Sequence, residues 1–146
     1  MARSARGSRS LAPTSRLSIS SVSPDIVAAT AVLVEADGTQ VPVPVFSCSG
    51  TSCKAEPIPL STAGDRRIYL SFYGTGFRGA NPDNVICGDL LTGERVPVLY
   101  AGPQGTPGLD QINIGPLPAG LSDYWGFHVS IRIDGVAANS ATIQVR

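Results

Sequence analysis

"WGFHVSIRIDGVAANSATIQVR", residues 125–146, is the stretch from which the fold class is read. From 125 to 133 the apolar residues Trp125, Phe127, Val129, Ile131 and Ile133 alternate with Gly126, His128, Ser130 and Arg132. A period of two belongs to an extended chain with one face buried. Asp134-Gly135 follows, a pair that accepts positive φ at both central positions of a tight turn. "NSATIQVR" then resumes the alternation with Ile143 and Val145 inward, so the segment reads as an antiparallel hairpin.

The same pattern extends upstream. "AVLVEADGTQVPVPVF", residues 31–46, sets two β-rich runs around Asp37-Gly38. Pro42 and Pro44 restrict the second run to a sheet edge, because proline cannot donate to a ladder. "RIYLSFYG" at 67–74, "NVICG" at 84–88, "RVPVLYAG" at 95–102 and "LDQINIG" at 109–115 add short strands. Eight or nine strands at short spacing, with no stretch of helical period, predict a sandwich or barrel; a parallel βαβ plan has no helices to use. The expected core is Val32, Val34, Ile68, Leu70, Phe72, Val85, Val98, Ile112 and Ile114, together with the inward residues of the 125–146 hairpin.

With 146 residues the chain has the length of one domain. Charged residues make up 15%, well under the usual quarter, while Gly (16) and Pro (12) are frequent, as in a turn-rich β protein. Eleven basic residues balance eleven acidic ones, but four of the basic ones, Arg3, Arg6, Arg9 and Arg16, lie in the first 16 positions. The remainder is mildly acidic, which argues against a nucleic-acid partner. "IVAATAVLV" at 26–34 is half the length of a membrane-crossing helix, so no membrane span is expected. Residues 1–24, rich in Arg and Ser and with no apolar h-region, are expected to be a disordered basic leader or a truncated linker outside the fold.

Three motifs, "IYLSFYGTGFRGA", "VPVLYAGPQGTPGLDQINIGPLPAGL" and "IRIDGVAANSATIQV", give the chain from about residue 28 to 146 a family likeness. It resembles the uncharacterised C-terminal immunoglobulin-like (IPT/TIG-like) module of large secreted acidobacterial proteins. The resemblance together with the strand pattern predicts an all-β fold, an immunoglobulin-like antiparallel β-sandwich over 66–146, with the additional N-terminal β-hairpin region of 25–65 packed on or extending it. It also implies an extracellular or cell-surface location, a non-catalytic spacer, adhesion or anchoring role, and a longer parent chain. Two departures stand out: "ICGDLLTGERVPV" replaces the "TIGG" that similar modules tend to carry before the "VPV" strand, and residues 1–24 have no counterpart.

Cys48 and Cys53 in "CSGTSC" bracket four small polar residues between two strands. Given the export that the resemblance implies, a disulfide is expected there rather than free thiols. A metal site would need a second Cys pair or a neighbouring His. Cys87 is left unpaired and shares the phase of Val85, as a small buried hydrophobe would.

No catalytic residue is assigned. His128, the single histidine, falls on the polar face of its strand and reads as an exposed surface residue, and no "GxSxG" or "HExxH" accompanies it. "GTGFRG" at 74–79 lacks the third glycine and the following helix of a dinucleotide loop, so its glycines are expected to turn one strand into the next. No cofactor or metal is expected. Tyr69 and Tyr73 share the phase of Ser71, opposite Ile68, Leu70 and Phe72, and so face outward, while Gln111 and Asn113 alternate with Ile112 and Ile114. These four form the candidate binding surface, for a carbohydrate or cell-wall ligand in the alternative reading and for a surface protein otherwise. Asp110 has the phase of Ile112, which turns its carboxylate toward the core. That is costly unless backbone N–H groups meet it, so Asp110 is expected to organise a loop, with the Gly-rich 101–108 segment as the donor.

Overall fold

The computed structural model describes residues 17–23, 26–60, 65–124 and 126–146, the side chains of 122–124 excepted. Fifteen strand segments run through the described residues. They are β1 (Ser18–Ile19), β2 (Ser21–Ser23), β3 (Ile26–Val27), β4 (Ala29–Val34), β5 (Gln40–Val43), β6 (Phe46–Ser49), β7 (Ser52–Ala55) and β8 (Arg67–Thr75). β9 (Val85–Asp89), β10 (Arg95–Val96), β11 (Val98–Pro103), β12 (Asp110–Ile114), β13 (Gly126–Ile133), β14 (Val136–Ala137) and β15 (Ala141–Gln144) complete the set.

Two antiparallel sheets face each other across one core. The first has the order β11-β12-β8-β4-β5, with β1 pairing the last residues of β8; the second runs β10-β9-β13, with β14 and β15 sharing the far side of β13. β2–β3 and β6–β7 are separate two-stranded ribbons. Alternation builds the interior: Ile68, Leu70 and Phe72 of β8 and Ile112 and Ile114 of β12 meet Phe127, Val129 and Ile131 of β13 and Ile143 of β15. Phe72, Ile112, Ile114, Phe127 and Val129 are fully buried, each side chain contributing about 1.5–3 kcal/mol of transfer free energy. The closing hairpin turns at Asp134 and Gly135 with φ of 49° and 80°, the double positive φ that its twist requires. β5, with Pro42, is an edge strand. Apart from these antiparallel pairs, Ile58 runs parallel to Val145: its N–H donates to Gln144 O, and Arg146 N–H donates to Ile58 O.

The phase of β4 is opposite to that expected. Ala29 and Ala31 are buried and Leu33 packs on the core, whereas Val32 and Val34 lie half-buried on the outer face. Ala29 sits opposite Phe72 and Ala31 opposite Leu70 in β8, so small residues complete layers that the bulky ones already fill. Val98 is half-buried at the core margin. Trp125 lies outside the described residues.

The expected leader boundary also moves. Residues 1–16 and 24 lie outside the described residues, but 17–23 belong to the fold. Ile19 is 2% exposed and pairs with Gly74. Its N–H donates to Asn139 Oδ1 at 2.7 Å, and Asn139 Nδ2 donates back to its carbonyl at 3.2 Å. A Cβ on Gly74 would run into the Ser18 carbonyl, so only glycine lets β1 approach. The N-terminal strand pair, expected to pack on or extend the sandwich, extends it: β4 and β5 join the first sheet, while 58–60 run beside the last residues of the chain.

Candidate functional site

The outward residues of β4, β8 and β12 fall in register. Gln111 lies opposite Tyr73, and Asn113 opposite Ser71, which in turn faces Thr30. Period-two alternation therefore brings Tyr69, Tyr73, Gln111 and Asn113 onto one sheet face, all half-buried. Asn113 Oδ1 accepts from Ser71 Oγ at 2.8 Å and from Gln111 Nε2 at 2.6 Å. The Tyr73 hydroxyl lies 3.2 Å from Thr30 Oγ1. Tyr69 packs its ring against Gly115, where an added Cβ would come within 2.6 Å of Tyr69 Cδ1.

Beside these polar pairs lies a shallow concavity of about 400 Å³, bounded by Val32, Val34, Gln40, Tyr69, Leu99 and Asn113. Its lining carries no charged side chain. Leu99 reaches it because the β11–β12 register shifts between Val98 and Tyr100, which turns both Leu99 and Tyr100 outward. The alternation rule alone gives no signal for such a bulge. The Tyr100 hydroxyl is engaged elsewhere, donating to Pro103 O at 2.6 Å.

Asp110 is not part of this face. It is 1% exposed and accepts from Phe77 N at 2.9 Å, Arg78 N at 3.1 Å and Arg78 Nε at 2.7 Å. The donors come from the loop after β8, not from the 101–108 segment. That loop turns through Gly76 and Gly79 at positive φ, and β12 lies beside β8 in the sheet, so the carboxylate meets the loop where β8 ends. Burial alone would raise its pKa, but the Arg78 guanidinium and the Arg78 and Phe77 N–H groups together hold it below the ordinary 3.8.

Asp89 is the other carboxylate buried among the described residues, 2% exposed. It accepts from Leu91 N at 3.1 Å, Thr92 N at 2.8 Å and His128 N at 2.8 Å. Burial pushes its pKa up, and the Thr92 and His128 hydrogen bonds outweigh that to give a lowered value. The signal was present: Asp89 continues the phase of Val85 and Cys87, just as Asp110 shares that of Ile112. Ending the strand at Gly88 concealed it.

His128 is not freely exposed. Its side chain is 29% exposed, and its Nδ1 is buried without a hydrogen bond among the described residues, 3.6 Å from Asp89 Oδ1. Cys48 and Cys53 stand directly opposite each other in the β6–β7 ribbon and form a disulfide. Cys87 is buried, and desolvation pushes its thiol up to about 12. Among the described residues no three His, Cys, Asp or Glu side chains gather as metal ligands, and no helix is long and apolar enough to cross a membrane. The chain matches no protein-family model, no curated protein and no solved structure.

Proposed function

We propose that this chain is a non-catalytic, immunoglobulin-like extracellular module, the C-terminal spacer, adhesion or anchoring domain of a longer secreted protein. The observation that carries the reading is the commitment of the two carboxylates buried among the described residues. Asp89 and Asp110 each accept three hydrogen bonds that tie a loop to a strand, an arrangement that favours fixed loops over proton transfer. The Cys48–Cys53 bridge supports an oxidising compartment. Two facing antiparallel sheets with a hairpin at the C-terminal end support the immunoglobulin-like assignment.

The test is retention. Fluorescently labelled protein, with its disulfide intact, is incubated with intact cells of the source organism and with a panel of chromogenic ester and glycoside substrates. Saturable retention on cells without turnover is the expected result; turnover with no retention overturns the proposal.

A further inference from the structure

We infer that the concavity beside Tyr69 on the outer face of the first sheet binds an uncharged oligosaccharide. This rests on the adhesion reading above and names its ligand class.

The concavity crosses the outer face of the first sheet from Gln40 of β5 to Leu99 of β11, over β4, β8 and β12, each of which pairs with a strand on both sides. A peptide that docks by strand addition takes its main-chain bonds at the outer edge of β5 or β11, not on the face over β4, β8 and β12. Contact must therefore come from side chains, and these are of two kinds. Val32, Leu99 and the Tyr69 ring offer apolar surface, and Leu99 is 57% exposed. Gln40, Asn113 and the Tyr69 hydroxyl offer hydrogen bonds. Asn113 has its oxygen occupied by Ser71 and Gln111, which fixes the amide plane and leaves its NH₂ group without a partner among the described residues. The Tyr69 hydroxyl likewise has no partner among them, whereas that of Tyr73 is engaged by Thr30.

A ligand fitting this set presents apolar C–H faces and many hydroxyls together, as a sugar ring does. The lining itself carries no charged side chain, so the contacts it offers suit neutral hydroxyls and not a charged group. The volume of about 400 Å³ is within the usual range for small-ligand sites. Tyr69 and Asn113 are thus assigned to contact, and Tyr73 and Gln111 to positioning.

The experiment is titration calorimetry of the intact chain with uncharged hexa-oligosaccharides of glucose, xylose, mannose and N-acetylglucosamine, with polygalacturonate as the charged counterpart. At least one neutral sugar is expected to bind, and polygalacturonate is not. Asn113→Ala should weaken that binding about tenfold through loss of one hydrogen-bond donor. Leu99→Lys, at an exposed position that folding tolerates, should abolish it. Arg132→Ala on the second sheet should leave affinity unchanged, and thermal melts of all three variants report whether they fold. Absence of binding to every neutral sugar, tighter binding of polygalacturonate, or unchanged affinity in folded Asn113→Ala and Leu99→Lys overturns the inference. If labelled protein still adheres to cells in that case, the function proposed above stands and only the ligand class fails.

Discussion

Asp110 and Asp89 perform the same task at two ends of the molecule. Each sits at the inward phase of its strand, each is almost wholly buried, and each is surrounded by donors. Asp110→Asn replaces a charged acceptor of three bonds by a neutral amide, so stability should fall by about 1–3 kcal/mol, measured by urea denaturation. Gln111→Ala, on the half-buried outer face, should cost less than about 0.5 kcal/mol. Equal losses in the two variants would contradict the assignment. Both carboxylates titrate below their ordinary value when folded, so the stability they confer is complete above pH 3.8 and disappears as pH falls through the folded value. Melting temperature should accordingly stay level down to about pH 4 and drop beneath it, with a shallower drop in Asp110→Asn.

At the scale of the element, β4 and β1 show where pattern and packing part. Both β4 phases carry apolar bulk, "ATAVLV" setting two alanines and Leu33 on one side and Thr30 and two valines on the other, and the β-branched bulk of the valines favours them as inward. The neighbour decides otherwise, since β8 places Phe72 and Leu70 beside Ala29 and Ala31. Ala31→Leu should therefore overpack the core and cost about 1–3 kcal/mol, whereas Val32→Ala on the outer face should cost less than about 1 kcal/mol, as calorimetric melts would show. The reverse order would restore the original phase. β1 was legible in part, because Leu17 and Ile19 alternate with serines in "LSIS", but the basic composition before it masked the signal. Ile19→Ala should destabilise by about 2–5 kcal/mol if β1 closes the sheet, and a neutral result would return residues 17–19 to the leader.

At the scale of the whole molecule, the three cysteines report pairing and burial together. Without reductant the native protein should carry no alkylatable thiol, one after denaturation and three after denaturation with reduction, counted by mass spectrometry. Three reactive thiols in unreduced protein would deny the bridge. Closing so short a loop contributes at most about 2 kcal/mol, so reduction should lower the melting temperature without unfolding the domain. The main strands from β4 onward, the Asp134-Gly135 hairpin, the edge position of the proline-bearing strand and the outward register of Tyr69, Tyr73, Gln111 and Asn113 were determined by the sequence. These depend on residues one or two apart, and strand alternation and turn chemistry act over that range. Tertiary structure decided the inward face of β4, the loop that meets Asp110, the burial of Asp89 and the concavity completed by Leu99. Each depends on which side chain a neighbouring strand brings opposite, and no local period encodes that partner.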